Sequence, residues 1–167
     1  AEISVTAVTS ELFDATSTAS VGTAVVGESQ ELTLRVRNQG TNTLNLTSLT
    51  VASGPFSIVR GFDDSSLTLG EATSFTVRYA PTASGVATRT ITILSNDLDE
   101  AEFTLDVSAT AIAPSLGGSV FEDWDGDGMK DTPDTSIAGR LVYLDSVANG
   151  VFDSNINTGM FSNVTPL

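Results

Sequence analysis

The sequence predicts an all-β protein built on an antiparallel β-sandwich, and three observations carry that reading. Ser and Thr supply 43 of the 167 residues; Thr favours strands and Ser favours turns. Apolar and polar residues alternate with a period of two through several runs, as half-buried strands require. No segment holds a 3.6-residue apolar period over three turns, so helix is minor at most.

Taken in order, the first strand is expected at 3–8, where Ile3, Val5 and Ala7 alternate with Ser4 and Thr6. Residues 12–25 read as an irregular edge. A strand at 29–38 places Leu32, Leu34 and Val36 on one face and Thr33, Arg35 and Arg37 on the other. Strands follow at 44–52 and 56–60, then at 73–79, where Phe75, Val77 and Tyr79 alternate with Thr76 and Arg78. The last two span 85–95 and 101–111, the latter alternating Phe103, Leu105, Val107 and Ala109 with Thr104, Asp106 and Ser108. Turn signals separate them: Asn38-Gln39-Gly40, Ser53-Gly54-Pro55, Leu69-Gly70-Glu71, Ala83-Ser84-Gly85 and Ser95-Asn96-Asp97.

Composition narrows function before any motif is considered. Seven basic residues face 21 acidic ones, a net charge of -14. A surface of this sign repels nucleic acid and anionic membrane, so neither is expected as a partner. No apolar run approaches the roughly 18 residues of a membrane span, and no membrane insertion is expected. Cys and His are both absent, which removes thiol and imidazole chemistry, disulfides and the usual zinc, copper and haem ligands. No enzyme is expected, because the one dense acid cluster fits a metal loop better than a carboxylate pair across a cleft. The opening AEISVTAV reads as a mature, processed end.

Composition changes after Ala113-Pro114-Ser115. Residues 1–113 carry a charge of -8, and residues 114–167, about half as many, carry -6. A domain boundary is therefore expected near 113, giving units at 1–113 and 114–167. In the first, Val26-Gly27-Glu28, Asn38-Gln39-Gly40, Tyr79-Ala80-Pro81 ahead of Gly85, and Ser95-Asn96-Asp97 together resemble a Hydin-type (ASH, or choice-of-anchor D) immunoglobulin-like domain. That resemblance implies a seven-stranded sandwich acting as scaffold or spacer, with no catalytic residues to carry over.

The second unit opens with an acidic loop, Asp123 to Asp134. On the twelve-residue calcium-loop template, Asp123, Asp125 and Asp127 take positions 1, 3 and 5, and Gly128 takes the turn at 6. Met129 would offer its carbonyl at 7, Asp131 sits at 9, and Asp134 takes 12, where Glu is usual. Ca²⁺ takes six to eight oxygens at about 2.3–2.6 Å, and alternate carboxylates around a Gly turn supply them from a short stretch of chain. The alternative is a solvated acidic turn, which leaves five carboxylates repelling one another. Ser119-Val120-Phe121 before the loop alternates like a strand and Pro133 opposes an exit helix. The loop is therefore expected on a β-scaffold, unlike a calmodulin-type switch.

A weaker copy spans 145–153, with Asp145 at position 1, Asn149 at 5, Gly150 at 6, the Val151 carbonyl at 7 and Asp153 at 9. Val147 and Ile156 fill positions 3 and 12 and cannot ligate through their side chains. The same residues also read as an Asn-Gly hairpin turn. Gly118-x-Val120-Phe121-x-Asp123, Asp127-Gly128-x-x-Asp131, Ile137-Ala138-Gly139 and Val142-Tyr143-Leu144-Asp145 resemble the B-type repeat of serine-aspartate-repeat surface adhesins, a Cna-B-like calcium-binding sandwich. That resemblance implies Asp123, Asp125, Asp127, Asp131 and Asp134 as ligands. It departs at Gly159–Leu167, where the end is compressed and the last strand is missing.

A missing strand leaves an open sheet edge. The chain then stops mid-domain, closes with fewer strands, or accepts a strand from a neighbour. Ile3–Val8 has a donor's alternation, although pairing within its own sandwich explains the same pattern. Trp124 is expected to cover the metal loop or the domain junction. With Phe121 it also offers a sugar-stacking surface.

The combined expectation is two tandem immunoglobulin-like antiparallel β-sandwiches, the second smaller and calcium-loaded. Its expected role is a secreted, non-enzymatic, Ca²⁺-stabilised structural protein of a prokaryotic cell surface, either a fibre or surface-layer subunit or an adhesin stalk module. Partners are expected through self-association or β-edge pairing with neighbouring domains. The alternative is a glycan- or protein-binding module of a larger secreted protein.

Overall fold

The computed structural model describes residues 1–7, 10–115, 118–139, 142–143 and 160–161. The chain divides into two compact units, Ala1–Pro114 and Ser115–Leu167. Among the described residues there is no helix.

The described residues of the first unit hold ten strands: β1 (Ile3–Ala7), β2 (Ser10–Leu12), β3 (Thr18–Val25), β4 (Gln30–Asn38), β5 (Leu44–Val51), β6 (Phe56–Arg60), β7 (Ser66–Leu67), β8 (Ala72–Tyr79), β9 (Gly85–Ser95) and β10 (Glu102–Ile112). They form two five-stranded sheets, ordered β2-β1-β4-β8-β6 and β3-β10-β9-β5-β7. The alternation seen in the sequence decides which faces turn inward. Leu34 and Val36 of β4, Phe75, Val77 and Tyr79 of β8, and Phe103, Leu105 and Val107 of β10 are all buried. The inner faces of both sheets feed one hydrophobic cluster. Each fully buried Leu, Ile or Phe contributes roughly 1.5–3 kcal/mol relative to exposure. Phe56 lies against Tyr79 with ring centroids 4.8 Å apart, and Phe62 meets Phe75 edge-on at 5.7 Å.

Residues 12–25, expected as an irregular edge, hold the last residue of β2, a turn and β3, an edge strand that pairs with β10. That pairing is parallel, in a sandwich expected to be antiparallel throughout. A register shift between Ser108 and Ala109 skips Val21, where Gly22 takes φ +106°. The bulge switches the inward set from Ala19 and Val21 to Ala24 and so breaks the period-two pattern.

The start of the chain is fixed inside this unit. β1 pairs antiparallel with β4 (Ile3 opposite Asn38) and with β2 (Val5 opposite Leu12), so it has a partner on each side rather than being free for a neighbouring chain. Asn38 secures the same end. Its side chain is fully buried; Oδ1 accepts from the Glu2 N–H at 3.3 Å and the Gly40 N–H at 3.0 Å. Nδ2 donates to the Asn42 and Leu67 carbonyls, both at 2.8 Å. The turn passes so close that a Cβ on Gly40 would sit 2.6 Å from the Ala1 carbonyl carbon and the Glu2 nitrogen.

In the second unit the described regular structure is two short antiparallel ladders, β11 (Phe121–Glu122) with β12 (Thr135–Ser136) and β13 (Val142–Tyr143) with β14 (Met160–Phe161). The weaker loop, with Asp145, Asn149, Val151 and Asp153, lies outside the described residues.

Asn38→Asp should be sharply destabilising, because an acceptor would then face two carbonyls in place of a donor. Loss of about 2–3 kcal/mol, or a thermal midpoint lower by on the order of 10 °C at neutral pH, is expected. Burial among acceptors raises the new carboxyl's folded-state pKa, so the gap to the parent protein should narrow on acidification. Thermal melts of both proteins at two pH values check this.

Candidate metal centre

The β11–β12 ladder sets the geometry of the acidic loop. Phe121 opposes Ser136 and Glu122 opposes Thr135, so the next residues on each strand, Asp123 and Asp134, face each other across the mouth. These are the first and last template positions. The Ile137 N–H donates to the Val120 carbonyl at 2.8 Å, extending the closure below the loop. Gly126 and Gly128 hold left-handed backbone, at φ +77° and +78°, which lets the chain double back within a few residues.

Inside that turn the carboxylates are ordered by backbone donors. Asp123 Oδ1 accepts from the Gly126 N–H at 2.7 Å and Oδ2 from the Gly128 N–H at 3.0 Å. Asp125 and Asp127 each accept from the backbone two residues on, Asp127 at 3.2 Å and Met129 at 2.7 Å. Asp134 reaches back to the Trp124 N–H at 3.0 Å and the Asp131 N–H at 3.3 Å. The outcome is two overlapping triads, Asp123–Asp125–Asp134 and Asp125–Asp127–Asp131. Within each triad, one oxygen per residue lies within 4.8 Å of the others. Two oxygens on opposite sides of one Ca²⁺ at roughly 2.4 Å are separated by about the same distance.

All five aspartates singled out from the sequence are thus brought together around Asp125, with Met129 on the same turn. The donors are oxygen only, the set that hard cations take. The Gly128 N–H chiefly holds the Asp123 carboxyl below the usual aspartate range. Partial desolvation opposes it, and the Gly126 N–H, Asp125 and the Asp127 N–H add to it. Trp124, expected over the loop or at the domain junction, is 65% exposed, and Met129 is exposed as well.

A second acid group went unnoticed in the sequence. Glu2, Asp97 and Asp99 each place a carboxylate oxygen within 4.8 Å of the others. Glu100 next to them is held above its ordinary pKa, first by burial and then by Asp14, Glu2, Asp97 and Asp99. No local spacing betrays this group, because the fold joins residues from opposite ends of the unit.

With two facing sheets, a shared core and no helix, residues 1–114 define an immunoglobulin-like β-sandwich. Residues 13–110 match the HYDIN/CFA65/VesB-like Ig-like domain, and the chain belongs to that family. The Hydin-type resemblance therefore holds for the first unit, while the match ends before the acidic loop. No curated protein matches the chain. Among solved structures, a protein of unknown function from Porphyromonas gingivalis W83 is 21% identical, over 56% of this chain and 44% of that one, with a TM-score of 0.50. The VesB protease of Vibrio cholerae is 16% identical over 56% of this chain and 30% of its own, with a TM-score of 0.49. The ASH/PapD-like domain 7 of human CEP192 is 15% identical over 68% and 87%, with a TM-score of 0.48. At 21% identity the likeness to the first is one of fold, and the chain spans less than half the length of the first two.

The lowered pKa of Asp123 gives a signed prediction. Its hydrogen-bonded form should support loop order above the ordinary aspartate pKa and lose that effect as pH falls through the lower, folded value. In an NMR titration of metal-free protein, the Asp123 carboxyl should titrate below free aspartate, and the Gly128 amide should follow it.

Proposed function

We propose that this chain is a non-catalytic, calcium-stabilised module of a secreted prokaryotic surface protein. In this reading the first unit is a rigid spacer, and Ca²⁺ held by Asp123, Asp125, Asp127, Asp131, Asp134 and the Met129 carbonyl orders the second. The observation that carries it is the convergence of five aspartates on one turn at the end of a β-ladder. A millimolar-calcium exterior suits such a site, since extracellular modules bind with dissociation constants of about 10⁻⁴–10⁻³ M. A protein without Cys has no disulfide to order a small unit, and a metal staple serves instead. No described helix is long and apolar enough to cross a membrane.

The role follows as fibre or surface-layer subunit or adhesin stalk, with contacts made through sheet edges. In the first unit the edge strands are β2 and β6 of one sheet and β3 and β7 of the other. A second reading, a glycan- or protein-binding module, draws on the exposure of Trp124 and Met129 on the acidic loop.

Calorimetric titration of EDTA-stripped protein should show Ca²⁺ binding in the sub-millimolar to millimolar range. Asp125→Asn, which removes the carboxylate common to both triads, should weaken it by about tenfold or more. Unchanged affinity in that variant would remove the loop from the site. Light scattering during the same titration separates the roles: EDTA-reversible growth supports a subunit of an assembly, and a constant monomer supports a stalk. Saturable binding in a glycan array, lost in Trp124→Ala, would favour the second reading.

A further inference from the structure

We propose that Glu2, Asp97 and Asp99 form a second divalent-cation site, in the immunoglobulin-like unit and independent of the acidic loop.

Asp97 is the reason to look there. Its side chain is 2% exposed, unusual for a carboxylate. Oδ2 accepts from the Ile3 N–H at 2.7 Å. Oδ1 is buried and has no hydrogen-bond partner among the described residues, the one such side-chain atom found. A buried carboxylate oxygen without a donor is costly, and native proteins normally pair such atoms with a donor, a water or an ion. What lies beside Asp97 is more negative charge, since Glu2 and Asp99 bring their carboxylates within 4.8 Å. Both ion pairs of the described residues, Arg60–Asp63 and Arg78–Glu31, lie elsewhere. A cation answers the unpaired oxygen and the clustered charge together, whereas a water molecule answers only the first.

The arms are held in advance. The Glu2 backbone donates to Asn38 Oδ1, and its carbonyl accepts from the Gln39 N–H at 2.8 Å. On the other side, the β9–β10 connection is pinned where the Asp97 N–H meets Ser95 Oγ at 3.0 Å and the Asn45 N–H meets Asn96 Oδ1 at 2.7 Å. Glu2 leads into β1 of one sheet, and Asp97 and Asp99 belong to the turn between two strands of the other. An ion here would staple the two sheets at one end of the sandwich. Three carboxylates leave positions for carbonyl or water oxygens, which suits Ca²⁺ or, with more water retained, Mg²⁺.

The test uses the full chain carrying Asp125→Asn and Asp127→Asn, so that failure of the loop site and failure of this one are read separately. EDTA-stripped protein is titrated with CaCl₂ or MgCl₂ while the amides of Ile3, Leu98 and Asp99 are followed by NMR. Saturable shifts with a midpoint of about 10⁻⁴–10⁻³ M, accompanied by a higher thermal midpoint, are expected. Adding Glu2→Gln and Asp99→Asn, both at exposed positions, should weaken the response by about tenfold or more. Either ion giving that residue-dependent response supports the site. Amides unmoved at about 10 mM of both ions, well above that range, or shifts that survive the added substitutions, overturn it.

Discussion

A single buried carboxamide organises the end of the sandwich where the chain begins. Asn38 has no access to water, so both donors and both acceptor positions of its side chain must be met by protein. They are met by backbone from three places: the segment leading into β1, the turn after β4, and β7 in the opposite sheet. Its own N–H donates to the Glu71 carbonyl, and its carbonyl accepts from Gly70. The position of β1, the closeness of Gly40 to the first residues and the placing of Glu2 all follow from satisfying this one side chain. A hydrophobic residue of similar size would fill the space and leave four backbone groups to find other partners.

The two acid clusters represent opposite ways of placing carboxylates. In the 123–134 loop the chain is its own template: glycines supply left-handed turns, backbone amides orient each aspartate, and a short ladder closes the mouth. The Glu2–Asp97–Asp99 group depends instead on the whole sandwich, because its members meet only once both sheets have packed. The first kind of site can be moved between scaffolds as a segment. The second kind exists only in a fold that has already formed.

That difference also explains what was legible in the sequence. Strands such as β4, β8 and β10 announced themselves because large apolar side chains alternate with Thr, Arg and Asp, one face dry and one wet. β3 stayed hidden: its inward residues are mostly alanine, and the bulge at Gly22 moves the pattern by one residue part way along. β2 and β7, three and two residues long, are too short to show any period. The acidic loop was readable because every candidate ligand lies within twelve consecutive residues. Asp97 was readable only as part of a turn, since its partner Ile3 lies 94 residues away. The exposure of Trp124 had no sequence signal, because an aromatic beside an acidic turn is equally compatible with packing over it or standing clear.

The parallel pairing of β3 with β10 bears on how the domain assembles. Thr18 lies opposite Asp106 and Val25 opposite Ile112, so among the described residues β3 finds its one sheet neighbour in the last strand of the unit. Loop-closure entropy must be met before those contacts form, and topologies dominated by such distant pairings fold slowly. During synthesis β3 emerges early and waits unpaired until β10 has been made. Completion of this sheet then waits for β10, and a chain interrupted before β10 carries an unfinished edge.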